Sequence, residues 1–361
     1  MPLADVDTPA LVLDLDAFDR NLATMADAVR ESGLRLRPHA KSHKCPEIAK
    51  RQIAAGAVGV CCQKVSEAEA MVDGGVADVL IANEVVGRPK LARLAQLAKR
   101  ARVSVCVDAA SVARDLDEAA RAAGVRVDVL VEVDVGAQRC GVEPGEPALR
   151  LARVVNGLGN LRFAGIHAYQ GAAQHLRSIE ERRAAIAHAV ERARQTRDLI
   201  EDEGLDCETV TGAGTGTFPF EQASGVYTEL QPGSYVFMDA DYGRNSWEGF
   251  PRFAQSLCIW TTVMSTPAAT RAVVDAGLKA HSVDSGMPLV VGFPGVEYAK
   301  ASDEHGVLKV AAGARAPALG EKLRLVPGHC DPTVNLYDWL VGVRAERVEA
   351  LWPIAARGAL Y

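Results

Sequence analysis

Residues 103–133 read VSVCVDAASVARDLDEAARAAGVRVDVLVEV. Two short apolar runs, Val103 to Val107 and Val127 to Val133, flank the longer Ala110 to Ala123, whose apolar residues recur at helical spacing. A strand, a helix and a second strand of this size make a parallel pair joined by a crossover. The unit repeats outward in both directions. Further strand-like runs are Leu34 to Pro38, Val58 to Cys62, Asp78 to Ala82, Leu161 to His167, Glu208 to Thr211 and Tyr227 to Val236. Between them Pro46 to Ala55, Leu91 to Arg100 and Ile179 to Glu203 read as helices, the last with Ile186, Val190 and Ile200 on one buried face. Eight such units predict an α/β fold of the TIM-type (β/α)8 barrel.

The period breaks after about residue 250. LCIWTTVMST, RAVVDAGL, PLVVGF, LRLVPGH and VEALWPI are β-rich and separated by Gly, Pro and Asp without comparable helices, the pattern of an antiparallel β domain. The expected division is a barrel over 17–245 and a β-rich domain over 246–361. The opening strand within 1–16 either closes the barrel or crosses into the second domain.

Composition narrows the function classes. A chain of 361 residues with 48% hydrophobic and 24% charged residues is that of a globular protein. Its net charge of −6 lacks the basic footprint of a nucleic-acid binder. No apolar run reaches the roughly 20 residues of a membrane span, and acids stand at the N-terminus where a secretory leader carries Lys or Arg. A cytoplasmic protein is expected. The eight cysteines form no CxxC pair, and several lie in apolar runs, so they read as buried thiols.

In a (β/α)8 barrel, reactive groups gather where strands end and βα loops begin. There the chain offers His39 and Lys41, Gln63, Asp108, Arg139, Tyr169 and the glycine-rich Gly212 to Thr217. Asp108, just before a helical run, reads as a helix N-cap. Lys41 in RPHAKSHK is either a solvated loop lysine or, in a desolvated mouth, a neutral amine fit to trap a carbonyl. Gly212 to Thr217 follows the seventh strand, where barrels hold phosphates on backbone N–H groups, although a plain turn reads the same way. In PGHCDPT an extended chain puts His329 and Asp331 on one face and turns Cys330 away. A His and a carboxylate suit a divalent cation with positions left open for substrate, while a polar turn capped by Asp331 is the alternative.

These segments together, DTPALVLDLDAFDRN, RPHAKSHK, GVCCQKVSEAE, VEVDVGAQRCGV, GIHAYQGA, GAGTGT, ELQPGSYVFMDADYG and VPGHCDPT, resemble the D-threonine aldolase and D-serine dehydratase family of pyridoxal 5'-phosphate (PLP) enzymes. That family shares its fold, type III, with the alanine racemases. The resemblance implies a PLP-binding barrel, a C-terminal β domain and a homodimer. It implies Lys41 as the lysine bonded to PLP, Arg139 facing the pyridine nitrogen, and Gln63 and Tyr169 lining the cofactor. It further implies Gly214, Thr215 and Gly216 as the phosphate loop, with Gly233, Ser234 and Tyr235 beside it, and His329 and Asp331 as the metal pair. Dehydratases of the family carry HxC, which favours zinc, whereas HxD is a harder pair suited to manganese or magnesium, with zinc also possible.

The expected activity is therefore an aldolase cleaving D-β-hydroxy-α-amino acids, of the D-threonine or D-3-hydroxyaspartate type, to glycine and an aldehyde. Lys41 is expected to serve as acid or base, with His39 or His43 assisting. A guanidinium opposite the ring nitrogen leaves that nitrogen unprotonated and the ring a weaker electron sink, so help from a metal at the β-hydroxyl gains importance. The competing readings are a dehydratase releasing ammonia and a 2-oxo acid, a racemase, and a non-catalytic PLP carrier, whose short chain would lack the β domain.

Overall fold

In the computed structural model, which describes residues 1–361, two sheets divide the chain. Strand β1 (Ala10–Asp14) leads into helix α1 (Leu15–Ser32), which starts where Asp14 accepts a hydrogen bond from Ala17 N at 2.9 Å and stops at Gly33, whose φ of 71° is left-handed. The barrel follows: β2 (Arg35–Leu36), α2 (Pro46–Ala54), β3 (Val60–Cys62), α3 (Val65–Asp73), β4 (Asp78–Glu84), α4 (Arg88–Leu97), β5 (Arg102–Val107), α5 (Ala110–Ala123), β6 (Val127–Glu132) and α6 (Glu146–Asn156). It continues with β7 (Leu161–His167), α7 (Ile179–Asp202), β8 (Thr209–Gly212), α8 (Phe218–Gln222), β9 (Glu229–Leu230) and α9 (Ala240–Gly243). All eight barrel strands are parallel. The two ends of the sheet meet where Val58 N donates to Leu36 O at 2.9 Å and Cys61 N to Pro38 O at 2.8 Å.

Alternation along the strands sorts the barrel's side chains. Cys61, Leu80, Ala82, Cys106 and Leu130 form a small buried cluster of their own. Their neighbours Val60, Val79, Ile81, Val105 and Val129 join the large core shared with the helices. The stretch Tyr227 to Val236 departs from the expected strand: only Glu229–Leu230 pair, because Pro232 lacks a donor, and Ser234–Val236 turn into a 3-10 helix. Helix α1 was not anticipated from the strand-like LVLDLD. Asp108 is not a cap either, since Ala109 occupies that position and Asp108 accepts from Gly141 N at 3.3 Å.

The second sheet contains β10 (Leu257–Ala268), β11 (Arg271–Val274), β12 (Leu289–Val290), β13 (Val296–Ala301), β14 (Gly306–Val310), β15 (Lys322–Val326), β16 (Trp339–Arg344) and β17 (Arg347–Pro353), with one helical turn, α10 (Cys330–Val334). Strand β1 inserts between β10, antiparallel, and β16, parallel. The opening strand thus crosses into the second sheet rather than closing the barrel. Helix α10 packs on the 3-10 turn Ala40–Ser42 at the barrel mouth, which brings the two parts together at one site.

Candidate active site

Lys41 sits on the turn that follows β2. Its Nζ lies 3.1 Å from Asp331 Oδ2, and its side chain keeps 43% exposure toward the cavity. The Asp331 carboxylate outweighs burial and raises the lysine above its ordinary pKa. Lys41 is therefore an ammonium in the free protein, not the neutral amine expected from desolvation alone. Burial pushes Asp331 up, but Lys41 and His329 together hold its carboxyl well below the usual range.

The pair expected to hold a metal, His329 and Asp331, is built differently from the extended segment expected. His329 is the N-cap of α10, and Asp331 lies in its first turn. The segment is clamped to the barrel: Ala240 N donates to Pro327 O at 3.0 Å, Asp241 N to Gly328 O at 3.2 Å, and Cys330 N to Asp239 Oδ2 at 2.9 Å. His329 Nδ1 bonds Asp284 Oδ2 at 2.7 Å, an arrangement that leaves Nε2 as the nitrogen able to ligate. The Cys330 thiol is fully buried, is kept protonated by that burial, and donates to Asp331 Oδ1 at 3.3 Å. One imidazole and one carboxylate, the latter already facing the positive charge of the Lys41 ammonium, fit a hard or borderline divalent ion.

The glycine-rich loop fits an anion. Thr215 Oγ1 is buried without a partner, and the backbone N–H groups of Gly214, Thr215, Gly233, Ser234 and Tyr235 have none within the chain. A Cβ at Gly214 would stand 2.4 Å from Gln174 Oε1, so only glycine fits there. The Gly216 N–H is already used, donating to Gln174 Oε1 at 2.9 Å. Tyr235 turns its side chain away: its hydroxyl accepts from Gln52 Nε2 at 3.2 Å and its ring packs on Phe253, leaving only its backbone near the loop.

Between the lysine and the loop, the cavity is lined by His39, Gln63, Arg139, His167, Tyr169 and Gln231. Gln63 Nε2 meets His39 Nε2 at 2.8 Å. Burial and the Lys41 charge lower the His39 pKa well below its usual value, so its imidazole is neutral. His43 lies outside the cavity, bound to Gln52 Oε1 at 3.2 Å and to Cys45 N at 3.1 Å, and burial lowers it to about 4. His43 is thus a structural histidine. Arg139 lies 5.6 Å over the Tyr169 ring and 3.8 Å from Glu132 Oε1.

Beneath Arg139, Cys106, Glu132 and His167 bring their donor atoms within 4.8 Å of one another. His167 Nδ1 and Glu132 Oε2 are 2.5 Å apart, a direct contact between the two side chains. Burial lowers His167, yet Glu132 overcomes this and raises its pKa. The polar chain continues from His167 to Gln231 (3.1 Å), Thr211 (2.8 Å), Glu229 (3.0 Å) and Arg37 (3.1 Å), crossing the barrel interior. Gln231 and Gln174 escaped notice in the sequence, although ELQPG and GAAQH place each beside a glycine-bearing loop. So did His175, which bonds Asp241 Oδ2 at 2.7 Å and stacks on Tyr242, a residue of the cavity wall.

A parallel barrel with a lysine and an anion nest at its mouth, closed over by a β domain, defines an alanine racemase-type architecture. The family described as "Alanine racemase, N-terminal domain" matches residues 13–241, and the chain belongs to it; "Putative serine dehydratase domain" matches residues 256–343. The chain is 52% identical to a D-threonine aldolase of Arthrobacter sp over 357 residues, covering 99% of this chain and 94% of that protein. It is 48% identical to a 3-hydroxy-D-aspartate aldolase of Paracoccus denitrificans (strain Pd 1222) over 374 residues, covering 100% and 95%. The crystal structure of D-threonine aldolase from Filomicrobium marinum superposes with a TM-score of 0.97 at 56% identity, covering 100% of this chain and 98% of that one.

Proposed function

We propose that the protein is a PLP- and divalent-metal-dependent aldolase that cleaves D-β-hydroxy-α-amino acids, of the D-threonine or D-3-hydroxyaspartate type, to glycine and an aldehyde. The observation that carries this reading is the contact of Asp331, from the second domain, with Lys41, from the barrel, at 3.1 Å. It sets a cation-binding carboxylate directly against the amine that would hold the cofactor.

When bound, PLP supplies an electron sink for the bond pair released at the substrate's α-carbon, and a divalent cation supplies acidity at the β-hydroxyl. Lys41 would bind the cofactor, and its Nζ, once freed, would deliver the proton that the α-carbon gains on forming glycine. His329 Nε2 and Asp331 hold the cation, with manganese or magnesium favoured by the carboxylate and zinc also compatible. The protonated Cys330 thiol backs Asp331 as a hydrogen-bond donor. Thr215 Oγ1 and the N–H groups of Gly214, Thr215, Gly233, Ser234 and Tyr235 bind the phosphate, while Gly216 braces the loop through Gln174. Arg139, steadied by Glu132, faces the ring nitrogen as a donor. Tyr169 and Gln63 line the ring, and neutral His39 orients Gln63 and is an acceptor rather than an acid. The arrangement is supported as a homodimer by Met287, Leu289 and Val291, apolar side chains exposed at 40%, 56% and 44%. No helix is long and apolar enough to cross a membrane, and eight free cysteines suit the reducing cytoplasm.

The match of residues 256–343 to a serine dehydratase domain favours a second reading, elimination of the β-hydroxyl to ammonia and a 2-oxo acid. Product analysis on D-threonine, with and without a chelator, separates them. Glycine and acetaldehyde, lost on chelation and restored by added manganese, are expected. Ammonia and 2-oxobutanoate would overturn the aldolase reading.

A further inference from the structure

Glu221 lies fully buried in α8, behind the glycine-rich loop, and does not line the cavity. A chain of hydrogen bonds ties it to that loop. Gly216 N donates to Gln174 Oε1 at 2.9 Å, Gln174 Nε2 donates to Thr217 Oγ1 at 2.8 Å, and Thr217 Oγ1 donates to Glu221 Oε1 at 2.9 Å. The other carboxyl oxygen, Oε2, has no partner.

No cation compensates this carboxyl. Arg183 of α7, which packs on α8, lies instead over the Phe220 ring at 5.2 Å. Glu229 of β9, also packed on α8, is bound by Arg37 and Thr211. Toward α1 the contact is neutral, Gln222 donating to Ala28 O. Two phenols share the surroundings, Tyr169 and Tyr227, and burial keeps both protonated. An ionised, unpaired carboxylate here is far more costly than a neutral acid that forfeits one hydrogen bond.

We propose that Glu221 is a positioning residue for the cofactor's phosphate: as a neutral acid it braces the Gly214 to Thr217 loop through Thr217 and Gln174, and its ionisation loosens phosphate binding. The inference rests on the reading of this loop as the PLP phosphate site. Burial places the transition in a usable range by raising Glu221 to about 7. A carboxylate formed there sets a negative charge behind donors that serve an anion.

The test compares wild type with Glu221→Gln, which keeps an acceptor for Thr217 and cannot ionise. Apoenzyme is titrated with PLP, and separately with pyridoxal, which lacks the phosphate, at about pH 6.5 and pH 8.5. The dissociation constant for PLP should rise between these two pH values by a factor about threefold or more larger in wild type than in the variant, within the range one linked proton allows. Pyridoxal should show no such difference between the two proteins. Should the variant fail to fold, wild type alone decides: its preference for PLP over pyridoxal should fall as pH rises. The phosphate's own second ionisation, near pH 6, acts in the opposite sense. Superimposable PLP profiles in the two proteins, the same difference with pyridoxal, or a wild-type preference for PLP that does not fall would overturn the proposal while leaving PLP binding intact. A wild type that takes up neither ligand would overturn the cofactor reading beneath it.

Discussion

Lys41 and Asp331 each behave opposite to what burial alone dictates: the ammonium is favoured and the carboxyl stays ionised, because at 3.1 Å each supplies the other's counter-charge. The sequence singled out Lys41 in PHAK and His329 with Asp331 in HCD as candidate site residues. Their mutual contact was not, since no local pattern reports which residues of two distant segments will meet. Thr215 presents the complementary case, a buried hydroxyl with nothing to bond in the protein. Replacing it with valine keeps the shape and deletes the donor. A hydrogen bond to a charged group is worth about 1.5–3 kcal/mol, so Thr215→Val should weaken PLP binding by roughly ten- to a hundredfold in an absorbance titration, with the folding midpoint little changed.

Among elements, the short ones were hardest to read. Long amphipathic helices such as α7 announce themselves, with Ser178 and Glu181 forming a capping box at its start. The five-residue α10 does not. Its signal was Pro332, a residue tolerated in the first turn of a helix and poorly placed in a strand. The turn matters because it sets the separation of His329 from Asp331, and Asp239 holds it there through Cys330 N. Its other oxygen, Oδ1, accepts from Tyr242 N at 2.9 Å. Asp239→Asn, which keeps one acceptor oxygen, should lower manganese affinity by roughly tenfold or more, as loss of a supporting partner does at metal sites. PLP uptake should stay within about twofold, and calorimetric titration of each ligand checks both.

At the scale of the molecule, one end of the barrel is chemistry and the other is stability. Opposite the mouth, Arg35, Arg37, Arg102 and Arg162 interleave with Asp78, Asp128, Glu208 and Glu229. Asp128 accepts from Arg162 Nε at 2.6 Å and Nη2 at 2.7 Å. Burial alone would raise its pKa, but Arg162 and Arg102 prevail and lower it. A lowered folded-state pKa gives stability that is present above the unfolded value, about 3.9 for Asp, and lost as pH falls through the folded value beneath it. Asp128→Asn should therefore cost about 1–3 kcal/mol at pH 7 in urea unfolding and progressively less as pH falls below about 3.9, with turnover unchanged. The alternation of the barrel and the β-rich tail were both legible from residue patterns. The route of β1 into the second sheet was not, because LVLDL pairs equally well with either sheet until the rest of the chain is in place.

The central claim is that Lys41 carries PLP within reach of the second domain's cation pair. Borohydride reduction of the purified protein, followed by peptide mass mapping, tests it most directly. The predicted result is a pyridoxyl group on the peptide containing Lys41 and on no other; a pyridoxyl group on a different lysine, or on none, would contradict it.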